Sequence, residues 1–213
     1  MNNNIQAEWM TTDEINEIAK EFLKQHHKSM QIPIPIEEII EFDFEINIIP
    51  VPGLKHDFTE SNLDIDGFIS SDFQSITIDM DVQQQERSKS RYRFTLAHEI
   101  GHKLLHSEIY EQYQFKNAEE WKSCIIGMSD KEREAIEWQA REFAGLVLVP
   151  RMLLGKEYKL EKENAITNYG NDYPQIIPDI VIHSLAQKFQ VSDEVIRIRL
   201  ERDGIVGERD KIF

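Results

Sequence analysis

Apolar residues recur every three to four positions in several segments of this chain and every second position in another, and these spacings predict its secondary structure. Helices are predicted in seven segments, of which the second is short; they begin near Thr11, Ile36, Arg91, Asp130, Arg151, Ile180 and Asp193. Apolar and polar residues alternate over residues 75–80, which predicts a strand with one buried face. Together these segments predict an α+β fold.

The segments between the predicted helices carry strand and turn signals. Residues 67–70 precede the alternating strand by a short turn, so we expect the two to form an antiparallel hairpin, and a further strand is expected at 44–49. Residues 83–90 form a polar linker, 107–129 look irregular, and 163–178 are rich in turn residues. Residues 107–129 lie between two long helices, where a wall or lid over a cleft is expected.

The helix predicted from residue 91 carries two histidines on one side. His98 and His102 are four residues apart, about one helical turn, and Glu99 lies one step around the helix. Two imidazoles so placed can hold one divalent metal ion, and the carboxylate beside them can take a proton from water. The flanks of the helix are apolar, which favours a buried metal site over solvated surface histidines.

A third ligand should come from another element, because two histidines do not complete a tetrahedral site. The helix predicted from Asp130 has an apolar inner face, formed by Ile136, Ala140, Phe143, Ala144 and Val147. Among its acidic residues Glu137 lies nearest to that face, where a carboxylate needs a partner such as a metal ion. We predict Glu137 as the third ligand, with Glu134 as the alternative, and small alanines that let the two helices approach closely.

Further side chains are predicted to assist this site. His106 repeats the four-residue spacing once more; we expect it to support a ligand or to pack, because a straight helix carries it away from the ion. His106, Tyr110 and His183 are the candidates for stabilising the negative charge of a transition state. The strand at 75–80 is the candidate edge for an extended substrate, which would place Ile76 and Ile78 beside that substrate.

Composition narrows the classes of function. The chain has 24 Lys and Arg against 39 Asp and Glu, a net charge of −15, which disfavours non-specific binding to nucleic acid or to an anionic membrane. Its one cysteine, Cys124, cannot form an internal disulfide, and neither a signal peptide nor a membrane-length apolar run is present, so a cytoplasmic location is expected. The absence of a Gly-rich phosphate loop and of a GxSxG elbow argues against nucleotide-binding and serine-hydrolase functions.

The last two predicted helices are separated by a three-residue turn and are similar to a helix-turn-helix. Residues 180–213 nevertheless hold six basic and six acidic residues, whereas a DNA reader should have an electropositive face. We therefore interpret this pair as a packing or protein-recognition element. The predicted organisation is a metal-binding domain at 1–150, which includes the first helix, and a C-terminal helical segment at 151–213 packed on it.

Three motifs resemble those of the ImmA/IrrE family of metallopeptidases. They are Arg-Phe-Thr-Leu-Ala-His-Glu-Ile-Gly-His at 93–102 with Leu-Leu-His at 104–106, Glu-x-x-Ala-x-x-Phe-Ala-x-x-Val-Leu-x-Pro at 137–150, and Leu-Ala-x-x-Phe-x-Val-Ser at 185–192 followed by Arg-Leu at 199–200. The resemblance covers about residues 30–203. It implies a zincin-like domain with a small antiparallel sheet, a helix-turn-helix-like C-terminal segment, and one zinc ion held by two histidines and a glutamate. Gln139 and Arg141 depart from the acidic residue and the asparagine that the family often has, and Val147 from its usual leucine. The missing acid at 139 favours Glu137 as the ligand.

The resemblance also implies a function, since the family is associated with cleaving a partner transcriptional repressor in mobile elements, phages or stress responses. We predict a zinc-dependent endopeptidase with ligands His98, His102 and Glu137, general base Glu99, and a helix-turn-helix repressor as substrate. One alternative is a non-catalytic metal-binding regulator that binds a repressor or DNA, and another is a toxin–antitoxin component. The presence of Glu99 favours the enzyme, because a structural metal site does not need that carboxylate.

Overall fold

Helices make up most of the described chain, and three strands form one small sheet. The computed structural model describes residues 8–54, 65–85, 88–115, 117–169 and 173–206. The helices are α1 (Thr12–His26), α2 (Ile36–Glu38, continued by the π-helical turn Ile39–Asp43), α3 (Met80–Gln84), α4 (Lys89–Tyr113), α5 (Ala118–Gly127), α6 (Asp130–Leu148), α7 (Arg151–Tyr169), α8 (Ile177–Phe189, preceded by the 3-10 turn Pro174–Ile176) and α9 (Asp193–Arg202). The strands are β1 (Asn47–Val51), β2 (Gly67–Ile69) and β3 (Ser75–Asp79). The α+β class predicted from the sequence is confirmed.

The sheet is mixed and has the order β1-β3-β2. β2 and β3 form the predicted antiparallel hairpin, with Gly67 opposite Ile78. β1 begins three residues later than predicted and runs parallel to β3, with Asn47 opposite Ser75. The sheet is therefore not wholly antiparallel, because the segment between β1 and β2 crosses over to bring β2 to the far side of β3.

The prediction that the strand at 75–80 offers its edge to a substrate is wrong. β3 is the central strand, and its backbone pairs with β1 on one side and β2 on the other. The side chains of Ile76 and Ile78 are fully buried in the core. Neither residue can therefore contact a substrate, and the edge strand that lies next to α4 is β2.

Helix α4 lies between the sheet and α6 and contacts both β2 and α6. Its inner residues Leu96 and Ile100 are fully buried. Gly101 allows the close approach to α6, since a Cβ atom placed there would lie 3.2 Å from the Cα and O atoms of Ala140. The small residues predicted at this crossing thus bring the histidine helix and the Glu137 helix together.

Two segments expected to be irregular are largely helical. Residues 107–129 continue α4 as far as Tyr113 and then form α5, which the Asn117 side chain caps by accepting the Glu120 N–H at 2.9 Å. Residues 163–169 belong to α7, whereas 170–172 lie outside the described residues. In the expected polar linker, 83–84 end α3 and α4 begins at Lys89, while 86–87 also lie outside. The sequence did not predict these helices because their segments contain turn residues and have weak apolar periodicity. Their stability depends on packing against the rest of the protein.

The C-terminal helices α8 and α9 form the predicted helix-turn-helix-like pair, with Gln190 left-handed at the turn and Ser192 capping α9. Arg199 of α9 is buried, and its guanidinium donates to Glu142 of α6 at 2.7 Å. Gly145 leaves room for this arginine, because a Cβ atom there would meet its Cδ at 3.3 Å.

The described helices include none that is long and apolar enough to cross a membrane. The domain boundary at 150 and the cytoplasmic location stay predictions.

Candidate metal centre

Helix α4 brings its two histidines together as the four-residue spacing predicts. The Nε2 atoms of His98 and His102 lie 3.0 Å apart. The side chain of His102 is 2% exposed and that of His98 14% exposed, so both rings are shielded from bulk water. Two neutral imidazole nitrogens facing one point are suited to sharing a divalent cation.

Glu137 of α6 completes the group from across the helix interface. Its Oε2 lies 3.3 Å from the Nε2 of His98, and its Oε1 lies 3.5 Å from the Nε2 of His102. In a tetrahedral zinc site with bonds of about 2.0–2.1 Å, ligand atoms stand about 3.3 Å from one another. The three donors therefore fit a single zinc ion without rearrangement, and their His, His and Glu chemistry is that of a catalytic zinc site with an open fourth position.

Charge holds this trio together in the metal-free protein. Burial opposes ionisation of Glu137, yet the neighbouring His98 and His102 lower its pKa well below its usual range. Burial likewise opposes protonation of His98, but the Glu137 carboxylate raises the pKa of that imidazole overall. Burial lowers the pKa of His102. The Glu137 carboxylate and the His98 imidazole therefore stabilise each other's charged forms, and a metal dication could take the place of a proton between them.

Glu99 lies beside the two histidines but is held by a different element. His98, Glu99 and His102 offer ligand atoms that all lie within 4.8 Å of one another. The Oε2 of Glu99 accepts the backbone N–H of Ile69 on β2 at 2.8 Å. Burial raises the pKa of Glu99 to about 8, while His98 and the Ile69 N–H act in the opposite direction. Glu137 faces the Nε2 atoms of both histidines at 3.5 Å or less, whereas Glu99 is bound to the backbone of β2, so the two carboxylates are placed differently around the histidines.

His106 supports His102 and does not face the metal position. The helix is kinked at His106, which has φ −130° and ψ 18°. Its Nδ1 lies 3.1 Å from the Nδ1 of His102, and its Nε2 lies 2.9 Å from the Oε1 of Gln139. Both ring nitrogens of His106 are thus engaged, which leaves none to bind the ion or stabilise an oxyanion. In the sequence Gln139 stands out only as a departure from the family pattern, because its partner His106 is 33 residues away.

A cavity of about 390 Å³ opens over the trio. It is lined by Ile65, Asp66, Gly67, Phe94, Thr95, His98, Glu99, His102, Tyr110, Trp121, Ile125, Arg133, Glu134, Glu137 and Arg141. Trp121 and Ile125 come from α5, so the segment expected to form a wall does line the cleft. Apolar walls with a few polar groups at one end are typical of a substrate site.

The three candidates for oxyanion stabilisation are separated by their positions. Tyr110 lines the cavity, its ring centroid lies 5.3 Å from that of His102, and its hydroxyl makes no hydrogen bond within the described chain. Burial raises the pKa of Tyr110 well above its usual value, so the hydroxyl keeps its proton. His183 is largely exposed on α8, pairs with Asp193, and is absent from the cavity lining. Tyr110 is the remaining candidate.

Glu134, the alternative ligand, lies at the cavity rim, is exposed, and has no ion pair with either histidine within the described chain. The nearby Arg141 approaches the Oε2 of Glu137 at 3.8 Å from a largely exposed position. Of the two carboxylates that the sequence offered, only Glu137 reaches both imidazoles.

Comparisons with known proteins agree with this geometry. A solved structure described as a Mycobacterium tuberculosis transcriptional regulator is similar with a TM-score of 0.52 at 15% identity, over 89% of this chain and 46% of that one. The chain thus spans about half the length of that protein, and the likeness at this identity concerns the fold. A comparison with curated proteins found no significant match. The profile of the IrrE N-terminal-like domain, peptidase family M78, matches residues 54–201. With its His-Glu-x-x-His helix, its Glu137 and most of its length matched by that profile, this chain belongs to the ImmA/IrrE family of metallopeptidases.

Proposed function

We propose that this protein is a zinc-dependent endopeptidase that cleaves a partner protein. The single observation that carries the proposal is the convergence of His98, His102 and Glu137 beside the separately held carboxylate of Glu99. The two Nε2 atoms lie 3.0 Å apart, and the two Glu137 oxygens lie 3.3 and 3.5 Å from them. A structural site would close the coordination shell with a fourth ligand, whereas this arrangement leaves one position facing the cavity.

The chain's own residues divide the work between binding and proton transfer. His98, His102 and Glu137 would hold the ion, and zinc, when bound, supplies a Lewis acid that polarises a carbonyl and acidifies water. The Ile69 N–H fixes one oxygen of Glu99. A cation held beside Glu99 would favour its carboxylate form, and the other oxygen could then accept a proton from the attacking water. Glu99 would then deliver that proton to the leaving amine of the cleaved peptide bond.

Substrate binding is proposed along β2, in place of the buried strand β3. Residues 65–67 line the cavity, and β2 is the edge strand next to α4. An extended peptide could therefore pair with this edge by strand addition while its scissile bond reaches the metal. Gly67 suits such a position because a Cβ there would lie only 2.7 Å from the Thr77 carbonyl oxygen, so the strand is kept without a side chain.

Tyr110 is proposed to stabilise the negative charge that develops on the scissile carbonyl oxygen. Its protonated, unpaired hydroxyl lines the same cavity as Glu99 and the three ligands. A donor already held in place in a water-poor site stabilises such charge more effectively than water does.

The proposed substrate is a helix-turn-helix transcriptional repressor, as membership of the family suggests. The experiment is to co-express the chain with the repressor encoded by an adjacent gene and to identify its fragments by mass spectrometry. Fragments that share one cut site and disappear when zinc is chelated would support the proposal. An intact repressor in the presence of zinc-loaded protein would count against this substrate.

A non-catalytic regulator is the second proposal. It is supported by the family membership and by the similar solved structure, which is described as a transcriptional regulator. The ion pairs made by the positively charged residues described in the helix pair α8–α9 nevertheless argue against DNA binding. Lys188 pairs with Glu157 and Glu161, and Arg197 pairs with Asp179. Arg199 and Arg202 both pair with Glu142. This leaves little free positive charge to meet phosphates, so the endopeptidase is preferred.

A further inference from the structure

A chain of hydrogen bonds runs from the Nδ1 of His102, the ring nitrogen that faces away from the other ligands, to the backbone near the start of the described chain. We propose that Gln139 is a positioning residue that ties the segment at 8–11 to His102 through His106 and so holds the zinc site in its binding geometry. The proposal rests on the metal centre proposed above.

The first link fixes how His102 carries its proton. The Nε2 of His102 faces the other ligands, at 3.0 Å from His98 and 3.5 Å from Glu137. An imidazole that binds a metal through Nε2 must carry its proton on Nδ1. The Nδ1 of His102 lies 3.1 Å from the Nδ1 of His106, so with a metal ion on Nε2 His102 would donate and His106 would accept.

The second link follows from the first. Since His106 accepts at Nδ1, its own proton must be on Nε2, which donates to the Oε1 of Gln139 at 2.9 Å. Both residues are almost fully buried, His106 being 3% and Gln139 0% exposed. Water therefore cannot readily replace either partner, and the amide oxygen determines which tautomer His106 adopts.

The third link is a hydrogen bond from the amide nitrogen of Gln139. The Nε2 of Gln139 donates to the backbone carbonyl of Glu8 at 3.0 Å. A carboxylate at this position could accept from His106 but could not donate to Glu8, so a glutamine is needed to join the two. The acid that the family often carries at this position would leave the Glu8 carbonyl without this donor.

The segment at 8–11 is held at two more points. The Trp9 indole stacks on Trp138, with ring centroids 5.2 Å apart and planes 9° apart. Thr11 caps α1 through a capping box with Glu14. Trp9 is 64% exposed, so burial contributes little to its position and the stack must be supported by the Gln139 bond next to it. Loosening the segment should therefore loosen Gln139, then His106, and finally His102.

The test measures zinc affinity in the purified full-length chain by competition with a chromogenic chelator. Gln139→Leu removes both hydrogen bonds of the amide and should weaken zinc binding about 10- to 100-fold, the usual cost of losing such a support. Gln139→Glu keeps the acceptor for His106 but loses the donor to Glu8, so it should weaken zinc binding by a smaller factor than Gln139→Leu does. Gln112→Leu, which removes an exposed glutamine from α4, is the matched control and should bind as wild type does.

Nuclear magnetic resonance of the histidine ring nitrogens in zinc-loaded protein separates positioning from general support of the fold. Wild type should have the proton on Nδ1 in His102 and on Nε2 in His106, and Gln139→Leu should give a tautomer mixture at His106. Trp9→Ala alters an exposed side chain and should weaken zinc binding in the same direction as Gln139→Leu, by a smaller factor.

Two results would overturn the inference. One is a folded Gln139→Leu protein with wild-type zinc affinity and an unchanged His106 tautomer, and the other is a Trp9→Ala protein with unchanged affinity. Neither result bears on peptide cleavage. Conversely, zinc affinity that depends on Gln139 as proposed, in a protein that cleaves no substrate, would refute the proposed function and leave the role of Gln139 intact.

Discussion

The Oε2 of Glu99 accepts the backbone N–H of Ile69 at 2.8 Å, so a side chain of the metal helix is fixed by the edge strand of the sheet. This bond joins the carboxylate proposed as the general base to β2, the strand proposed to bind the substrate. Any movement of β2 would therefore be transmitted to the carboxylate that takes the proton. The sheet and the helix pair thus act as one site, although the sheet supplies no metal ligand.

The stability of the metal-free protein should depend on pH through Glu99. Burial raises its pKa to about 8, so between about pH 4.5 and 8 the unfolded chain loses this proton while the folded chain keeps it. This contribution destabilises the fold progressively as the pH rises through that window, by a few kcal/mol in total. Glu99→Gln should remove it, so the variant gains stability relative to wild type from pH 5 to pH 8. Chemical denaturation with a chelator present measures the difference, and parallel pH profiles would contradict it.

Removing the Tyr110 hydroxyl should slow the chemical step without affecting the metal. We expect Tyr110→Phe to lower kcat about 10²- to 10³-fold, the usual cost of losing one oxyanion donor, with KM and zinc content unchanged. Tyr113→Phe, on a largely exposed residue of the same helix, is the control and should keep full activity. An equal kcat for the two variants would remove Tyr110 from the mechanism.

Adding one methyl group at the crossing of α4 and α6 should loosen the metal site. In Gly101→Ala the new Cβ would lie 3.2 Å from the backbone of Ala140, and overpacking of this kind costs roughly 1–3 kcal/mol. Gly155→Ala on α7 is the control, since no atom lies within 4 Å of its new Cβ and alanine favours a helix. The melting temperature of Gly101→Ala should therefore be below that of wild type, and that of Gly155→Ala should equal or exceed it. The reverse order would mean that this helix crossing is not tightly packed.

The buried ion pair between α6 and α9 should contribute to stability far more than a surface pair. Glu142→Ala would leave the guanidinium of Arg199 buried with only Asp203 beside it, and breaking such a pair costs about 3 kcal/mol or more. Glu17→Ala breaks the exposed pair with Lys20 and should cost less than about 1 kcal/mol. Urea denaturation of the two variants compares these values directly. Equal losses would mean that α9 does not depend on Glu142 for its docking.

The convergence of the candidate ligands could be predicted from the sequence because their arrangement is largely local. His98 and His102 share a helical face by spacing alone, and Glu137 is the acidic residue nearest to an apolar stripe. The close approach of the two helices could be predicted from small residues such as Ala140. Each of these inferences needs only the helical period.

The features that escaped prediction depend on long-range pairing. β3 was expected at an edge because its alternation describes one strand and not its neighbours, whereas parallel pairing with β1 places it at the centre. The bond from Gln139 to Glu8 joins residues 131 positions apart, and the Arg199–Glu142 bond spans 57. No local pattern contains such contacts, so the support of the site could not be predicted together with its ligands.

The most direct test of the central claim compares zinc-loaded wild type with zinc-loaded Glu99→Gln on a purified repressor substrate. Metal content is determined on the same samples by mass spectrometry. We expect both proteins to hold one zinc ion, and the variant to cleave about 10²- to 10⁴-fold more slowly, as for the loss of a general base. Glu134→Gln, at the cavity rim, should cleave at the wild-type rate. Cleavage by Glu99→Gln at the wild-type rate, with zinc bound, would contradict the account.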